Sequence, residues 1–225
     1  MSNESTLVTR EHFEYVRSHT KAEDAFLGEL SNAAREANIP SIAIAPEQAS
    51  FLQILLKSAG AKRVVEVGTL AGYSAIAMAR ALPSAEAGGQ LLTLEISEQH
   101  AAFAAEWIEK SDVADRVEVR LGPAAATLRE LPANSRDAAF LDADKRGYPD
   151  YLRECLRIVR PGGLILVDNA FAFGELFAAT PNDGEVGAVR EFNELMAATP
   201  GLQSVIVPLG DGLWVGVVEP QGERV

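Results

Sequence analysis

From Lys62 onward, short apolar runs alternate with longer stretches whose apolar residues recur at helical spacing. The runs are Val64 to Val67, Leu91 to Leu94, Val117 to Leu121, Ala138 to Leu141 and Leu164 to Val167. Between them lie Ser74 to Leu82, Glu98 to Lys110, Ala124 to Leu131 and Asp150 to Val159. Runs this short that are mostly apolar predict strands covered on both faces, and the strand-then-helix repeat predicts parallel pairing through crossover helices. The fold class is therefore a doubly wound, Rossmann-like α/β sheet. After Val167 a loop bearing Gly and Phe leads to a helical pattern over Val186 to Ala198. Two last runs, Val205 to Val207 and Leu213 to Val218, are separated by Gly210-Asp211-Gly212 and are close enough to pair as an antiparallel hairpin at the sheet edge.

Upstream of the sheet, Leu52, Leu55, Leu56 and Ala59 share one face of a helix over Pro46 to Ala59, with Gly60 as its stop. Thr20-Lys21-Ala22-Glu23 has the form of a capping box, and Phe26, Leu30, Ala33 and Ala37 follow at near-helical spacing. Residues 1–44 thus read as a helical region ahead of the sheet. With 225 residues and 48% hydrophobic content, the chain can bury one sizeable core, and residues 1–225 are expected to form a single domain.

Charge narrows the partners. Lys plus Arg number 20 against 32 Asp plus Glu, a formal net charge of −12 that repels a phosphate backbone, so nucleic acid is not the expected partner. No basic stretch followed by an apolar run opens the chain, and no apolar run is long enough to span a membrane, so a soluble cytoplasmic protein is expected. Cys155 is the single cysteine and shares a helical face with Leu152, Leu156 and Val159, which reads as core packing. The three histidines, His12, His19 and His100, show no ligand spacing and read as surface residues.

In an open parallel sheet, ligands bind beyond the carboxyl ends of the strands. The first strand ends in Glu66-Val67-Gly68-Thr69-Leu70-Ala71-Gly72-Tyr73-Ser74, a glycine-bearing turn that lets a ligand approach backbone N–H groups. It lacks the three-glycine dinucleotide spacing, and Glu66 would oppose a pyrophosphate while welcoming a cationic methionine amine. Glu95 ends the second strand, where a carboxylate can accept from both ribose hydroxyls. Each feature alone also suits a plain turn; together they favour S-adenosylmethionine.

The fourth strand runs into Asp142-Ala143-Asp144-Lys145 and the fifth into Asp168-Asn169. If these strands are neighbours, Asp142, Asp168 and Asn169 converge as three hard oxygen donors, a set suited to Mg²⁺ or Mn²⁺. The plain alternative is that each caps the helix that follows. Lys145, three residues beyond Asp142, could reach a hydroxyl held there and take its proton, or could simply solvate a loop.

These stretches resemble the cation-dependent O-methyltransferases, the caffeoyl-CoA and catechol O-methyltransferases and their bacterial relatives. The matching segments are Ala45-Pro46-Glu47-Gln48, Glu66 to Ser74, Leu141 to Lys145, Pro161-Gly162-Gly163 to Asn169, and Gly210-Asp211-Gly212, in family order from about residue 40 onward. The resemblance implies a seven-stranded sheet with a terminal antiparallel hairpin. It implies that Asp142, Asp168 and Asn169 hold the metal and that Lys145 is the base. It further implies that Glu66, Gly68, Thr69, Ser74 and Glu95 hold S-adenosylmethionine, with Ile44, Ala124 and Asp142 against it. The acceptor it implies is a small hydroxylated aromatic, catechol-like or phenolic, the N-terminal helices shape its pocket, and family members are often homodimers. Three positions depart from the family: Phe173 stands where many relatives carry Trp, Val205 where mammalian members carry an acid for the second catechol hydroxyl, and Ala49 where Gly is usual. Two other readings stay open at this point, a metal-independent methyltransferase of amines or carboxylates and a non-catalytic cofactor-binding protein.

Overall fold

A computed structural model describes residues 8–21 and 23–220. Seven strands, β1 (Arg63–Val67), β2 (Gln90–Glu95), β3 (Val117–Leu121), β4 (Arg136–Leu141), β5 (Val159–Val167), β6 (Leu202–Val207) and β7 (Leu213–Val218), form one sheet. Their order is β3-β2-β1-β4-β5-β7-β6. The first five pair in parallel, and β7 runs antiparallel between β5 and β6. Strand order reverses between β1 and β4, which opens a crevice at their carboxyl ends.

The helices are α1 (Arg10–His19), α2 (Ala25–Glu36), α3 (Pro46–Ser58), α4 (Tyr73–Ala79), α5 (Glu98–Glu109), α6 (Ala124–Glu130), α7 (Tyr148–Ile158) and α8 (Val186–Ala198). Alternation along each strand sends neighbours to opposite faces. Val64, Leu91, Phe140 and Leu166 pack under α2, α3, α4 and α5, through Leu30, Leu52, Met78 and Ala104. Val65, Leu92, Leu141 and Ile165 pack on the other face against α6, α7 and α8, through Leu128, Leu152 and Phe192. Both faces of the central strands therefore meet helices, which is why these runs are mostly apolar, with Glu66 and Thr93 as the buried exceptions near the carboxyl ends. Cys155 lies fully buried in the second layer, where burial pushes its thiol up to about 12.

Two local expectations are corrected. The second helix is capped by Asp24, whose side chain accepts from the Leu27 N–H, not by Thr20. Glu23, the far end of the expected capping box, instead accepts from the Tyr73 hydroxyl at 2.8 Å; Ala22 of that box lies outside the described residues. The fifth strand starts at Val159, not Leu164, because Val159 pairs with Arg136 and a register shift before Ala138 absorbs the Pro161-Gly162-Gly163 stretch. Among the described residues, no helix is long and apolar enough to cross a membrane.

Candidate active site

A cavity of about 320 Å³ opens at the carboxyl ends of β1 to β4. Its floor is the turn after β1. Gly68 has φ +98°, and a Cβ there would run into the carbonyl oxygen of Asp142, so only glycine lets this turn close on the end of β4. Backbone bonds extend the sheet into the site: Gly68 N–H donates to Leu94 and Asp142 N–H donates to Val67, both at 2.9 Å. Ile44, Gly68, Thr69, Ser74, Glu95, Ala124 and Asp142 all line this cavity.

Glu66 is among neither the exposed residues nor those lining the cavity. It lies behind Ser74, whose hydroxyl donates to Glu66 Oε1 at 2.5 Å, while the Thr93 hydroxyl donates to Oε2 at 2.6 Å. Thr93 in turn has Thr69 Oγ1 at 2.5 Å. Burial pushes the Glu66 carboxyl up to about 8, against the pull of the two hydroxyl donors, and the charges of Asp142 and Glu95 push the same way. Glu66 thus reaches the cavity through Ser74. Glu95 differs: its two carboxylate oxygens accept from the N–H groups of Thr69 and Leu70 on one turn and Ile96 and Ser97 on the other, at 2.9 to 3.2 Å. Those four bonds tie the β1 and β2 loops together and fix a carboxylate at the cavity wall.

A second cluster adjoins the cavity through Asp142. Pairing of β4 with β5 brings Asp142 and Asp168 to adjacent strand ends. Lys145, only 3% exposed, opens a single 3₁₀ turn after β4. Its ammonium donates to Asn169 Oδ1 at 2.6 Å and Tyr148 Oη at 2.7 Å, and lies 3.4 Å from Asp142 Oδ1. Tyr148 is itself buried edge-on against Phe192, with ring centroids 5.0 Å apart. Asp168 is buried and accepts from the side-chain amide of Gln48 at 2.6 Å. Both carboxyls are raised above the usual carboxylate range, first by burial, and Asp168 also by the charge of Asp142. A half-buried carboxyl at Asp142, a buried one at Asp168 that the Asp142 charge raises further, and the neighbouring Asn169 amide oxygen form a hard oxygen donor set that a divalent cation fits. Among the described residues there is no group of three or more His, Cys, Asp or Glu arranged for a metal; this set has two carboxylates and one amide.

The cavity lining also includes residues given no role from the sequence, among them Ile96, His100, Asp144 and Tyr151. Asp144 accepts from the Tyr151 hydroxyl at 2.7 Å and from Gly147 N–H at 2.9 Å, so it shapes the wall below Ala143. His100 corrects the reading of all three histidines as surface groups: it is half-buried, with Nδ1 3.8 Å from Glu95 Oε1. Its position one turn into α5 brought it back over the end of β2, a signal the sequence carried in Ser97, which caps that helix. Lys62 and Arg63, basic residues in an otherwise acidic chain, stand at the amino end of β1, the far end of the sheet from the cavity.

Seven strands in this order, a glycine turn after β1 and an acid after β2 define a class I methyltransferase. The chain belongs to the O-methyltransferase family, whose model matches residues 17–217. It is 37% identical over 211 residues to a catechol O-methyltransferase of Niastella koreensis, with 92% of each chain covered. It is 35% identical to a catechol O-methyltransferase of Mycobacterium tuberculosis, with 86% of each covered. A solved O-methyltransferase of Bacillus cereus in complex with SAH is 38% identical, with a TM-score of 0.81 over 92% of this chain and 96% of that one. The chain is accordingly an S-adenosylmethionine-dependent O-methyltransferase.

Proposed function

We propose that this enzyme methylates one hydroxyl of a small catechol-like or phenolic acceptor, with Mg²⁺ or Mn²⁺ held by Asp142, Asp168 and Asn169. The observation that carries this is the buried lysine set between Asp142 and Asn169, beside the cofactor cavity, with Asp168 on the adjacent strand end. A dication held there would orient the acceptor oxygen and stabilise its developing negative charge.

The remaining roles fall to the chain's own groups. Ser74, backed by Glu66, meets the methionine end of S-adenosylmethionine; Glu95 faces the ribose; Ile44, Thr69 and Ala124 border the rest. Gly68 lets the β1 turn approach the methyl donor without a side chain in the way. Lys145 Nζ, as the neutral amine with a free lone pair, takes the hydroxyl proton and becomes the ammonium. The oxygen lone pair then forms a bond to the methyl carbon as the carbon–sulfur bond breaks, and its electrons leave with sulfur as neutral S-adenosylhomocysteine. Alignment at carbon supplies much of the rate, and a lysine locked by Tyr148 and Asn169 costs little reorganisation. We favour a free phenol over a coenzyme A ester because, among the described residues, no Lys or Arg lines the cofactor cavity and Lys62 and Arg63 stand at the far end of the sheet.

Methyl transfer from labelled S-adenosylmethionine to a panel of catechols, monophenols, caffeoyl-CoA, amines and carboxylates tests the reading. Product on catechols is expected. Transfer confined to amines or carboxylates would overturn it.

A further inference from the structure

The loop after β5 is held in a costly conformation. Asn169, Ala172 and Phe173 have φ of +65°, +53° and +59°, the left-handed region that asparagine tolerates but that costs alanine and phenylalanine. Three such residues within five positions persist only where their surroundings dictate them, and here those surroundings are the turn between β6 and β7. Antiparallel pairing of β5 with β7 sets Val167 opposite Trp214, which delivers Gly210-Asp211-Gly212 to this loop. Ala170 N–H donates to Gly212 and Phe171 N–H donates to Asp211, each at 2.9 Å. Gly212 has φ +79°, and a Cβ there would strike the Phe171 ring.

The side chain of Asp211 does more than brace backbone. Its Oδ2 accepts from Phe173 N–H at 2.7 Å and from the Asn169 amide Nδ2 at 3.3 Å, and its Oδ1 accepts from Gly174 N–H at 3.2 Å. An amide that donates its nitrogen to Asp211 must turn its oxygen the other way, and Asn169 Oδ1 indeed points at Lys145 Nζ. The same carboxylate fixes the backbone of Phe173, whose half-exposed ring lies 5.8 Å from Lys145 Nζ and walls the space beside it.

We propose that Asp211 is a positioning residue that acts through Asn169 and Phe173, presenting the Asn169 oxygen toward the divalent cation and setting the wall against which the acceptor lies. This rests on the reading of Asn169 as a cation ligand. An outer partner that fixes a ligand's orientation typically contributes 10- to 100-fold to metal affinity.

Manganese binding measures this without turnover. Titration of the full chain with Mn²⁺, followed by the electron paramagnetic resonance of the free ion, gives the affinity, and calorimetry with S-adenosylhomocysteine gives the cofactor affinity of the same samples. Asp211→Ala is expected to weaken Mn²⁺ about 10-fold or more while S-adenosylhomocysteine binds within about twofold of the unaltered chain. Asp211→Asn, which keeps one oxygen for Phe173 and Asn169, should recover much of the Mn²⁺ affinity and guards against a variant that fails to fold. Unchanged Mn²⁺ affinity in both variants, or equal losses of Mn²⁺ and S-adenosylhomocysteine, would overturn the proposal for Asp211 alone. No Mn²⁺ binding by the unaltered chain would overturn the metal reading and this inference with it.

Discussion

The two halves of the site are built differently. The cofactor half is made by backbone: the Gly68 turn presses on Asp142, and Glu95 gathers four N–H groups from two loops at strand ends. The half we propose for the acceptor is made by side chains reaching across long stretches of sequence: Gln48 to Asp168, Lys145 to Asn169, Asp211 to Asn169 and Phe173. A half fixed by the sheet tolerates little variation, whereas a half fixed by individual side chains can be retuned residue by residue. Acceptor choice can then diverge while the methyl donor stays the same.

Substitutions should separate the two halves. Lys145→Met should have the largest effect, lowering kcat about 100-fold or more while the S-adenosylhomocysteine dissociation constant stays within about twofold. A loss shared equally between turnover and cofactor binding would merge the halves again. Glu95→Ala should act the other way, weakening the cofactor about 10- to 100-fold by calorimetry, since a charged acceptor of several hydrogen bonds is lost from the wall. Phe173→Ala should raise the catechol KM about 2- to 10-fold with the KM for S-adenosylmethionine unmoved, which steady-state kinetics in both substrates will show.

How much of this was legible in the sequence follows the same division. The order of strands and helices after Lys62 could be placed because their mostly apolar runs are short and separated by helical spacing; β1 to β4 end where the pattern marked them, while β5 and β6 start earlier than read, at Val159 and Leu202. The glycine turn after β1, Glu95 and the end of β4 could be placed at the crevice because a parallel sheet aims strand ends there, while Gly68, Ser74 and Asp142 were singled out for the cofactor by the family resemblance. Asp24 in place of Thr20 could not, since the choice turns on Glu23 bonding Tyr73 and Asp24 pairing with Arg80 across the fold. Gln48 and Asp211 were quoted within matching segments but given no role, because their partners are 120 and 42 residues away and no local spacing encodes them. The shielding of Glu66 behind Ser74 depended on the Thr93 hydroxyl from the neighbouring strand.

Glu66 supplies the smallest and most diagnostic effect on the cofactor half. Its folded-state carboxyl is raised from 4.5 to about 8, so the folded chain holds the proton more tightly than the unfolded one. The stability this contributes is full below pH 4.5 and is lost as pH rises through about 8. Thermal unfolding of the cofactor-free protein should fall in Tm across that window, and Glu66→Gln should flatten the slope; parallel curves would remove Glu66 as its source.

On the proposed reading, Asp142, Asp168 and Asn169 hold a divalent cation needed for transfer. Turnover of a catechol at saturating S-adenosylmethionine, measured before EDTA, after EDTA and after restoring Mg²⁺, tests it most directly. Activity should be lost with EDTA and recovered with Mg²⁺ while S-adenosylhomocysteine binding persists throughout; turnover indifferent to EDTA would remove the cation from the reaction.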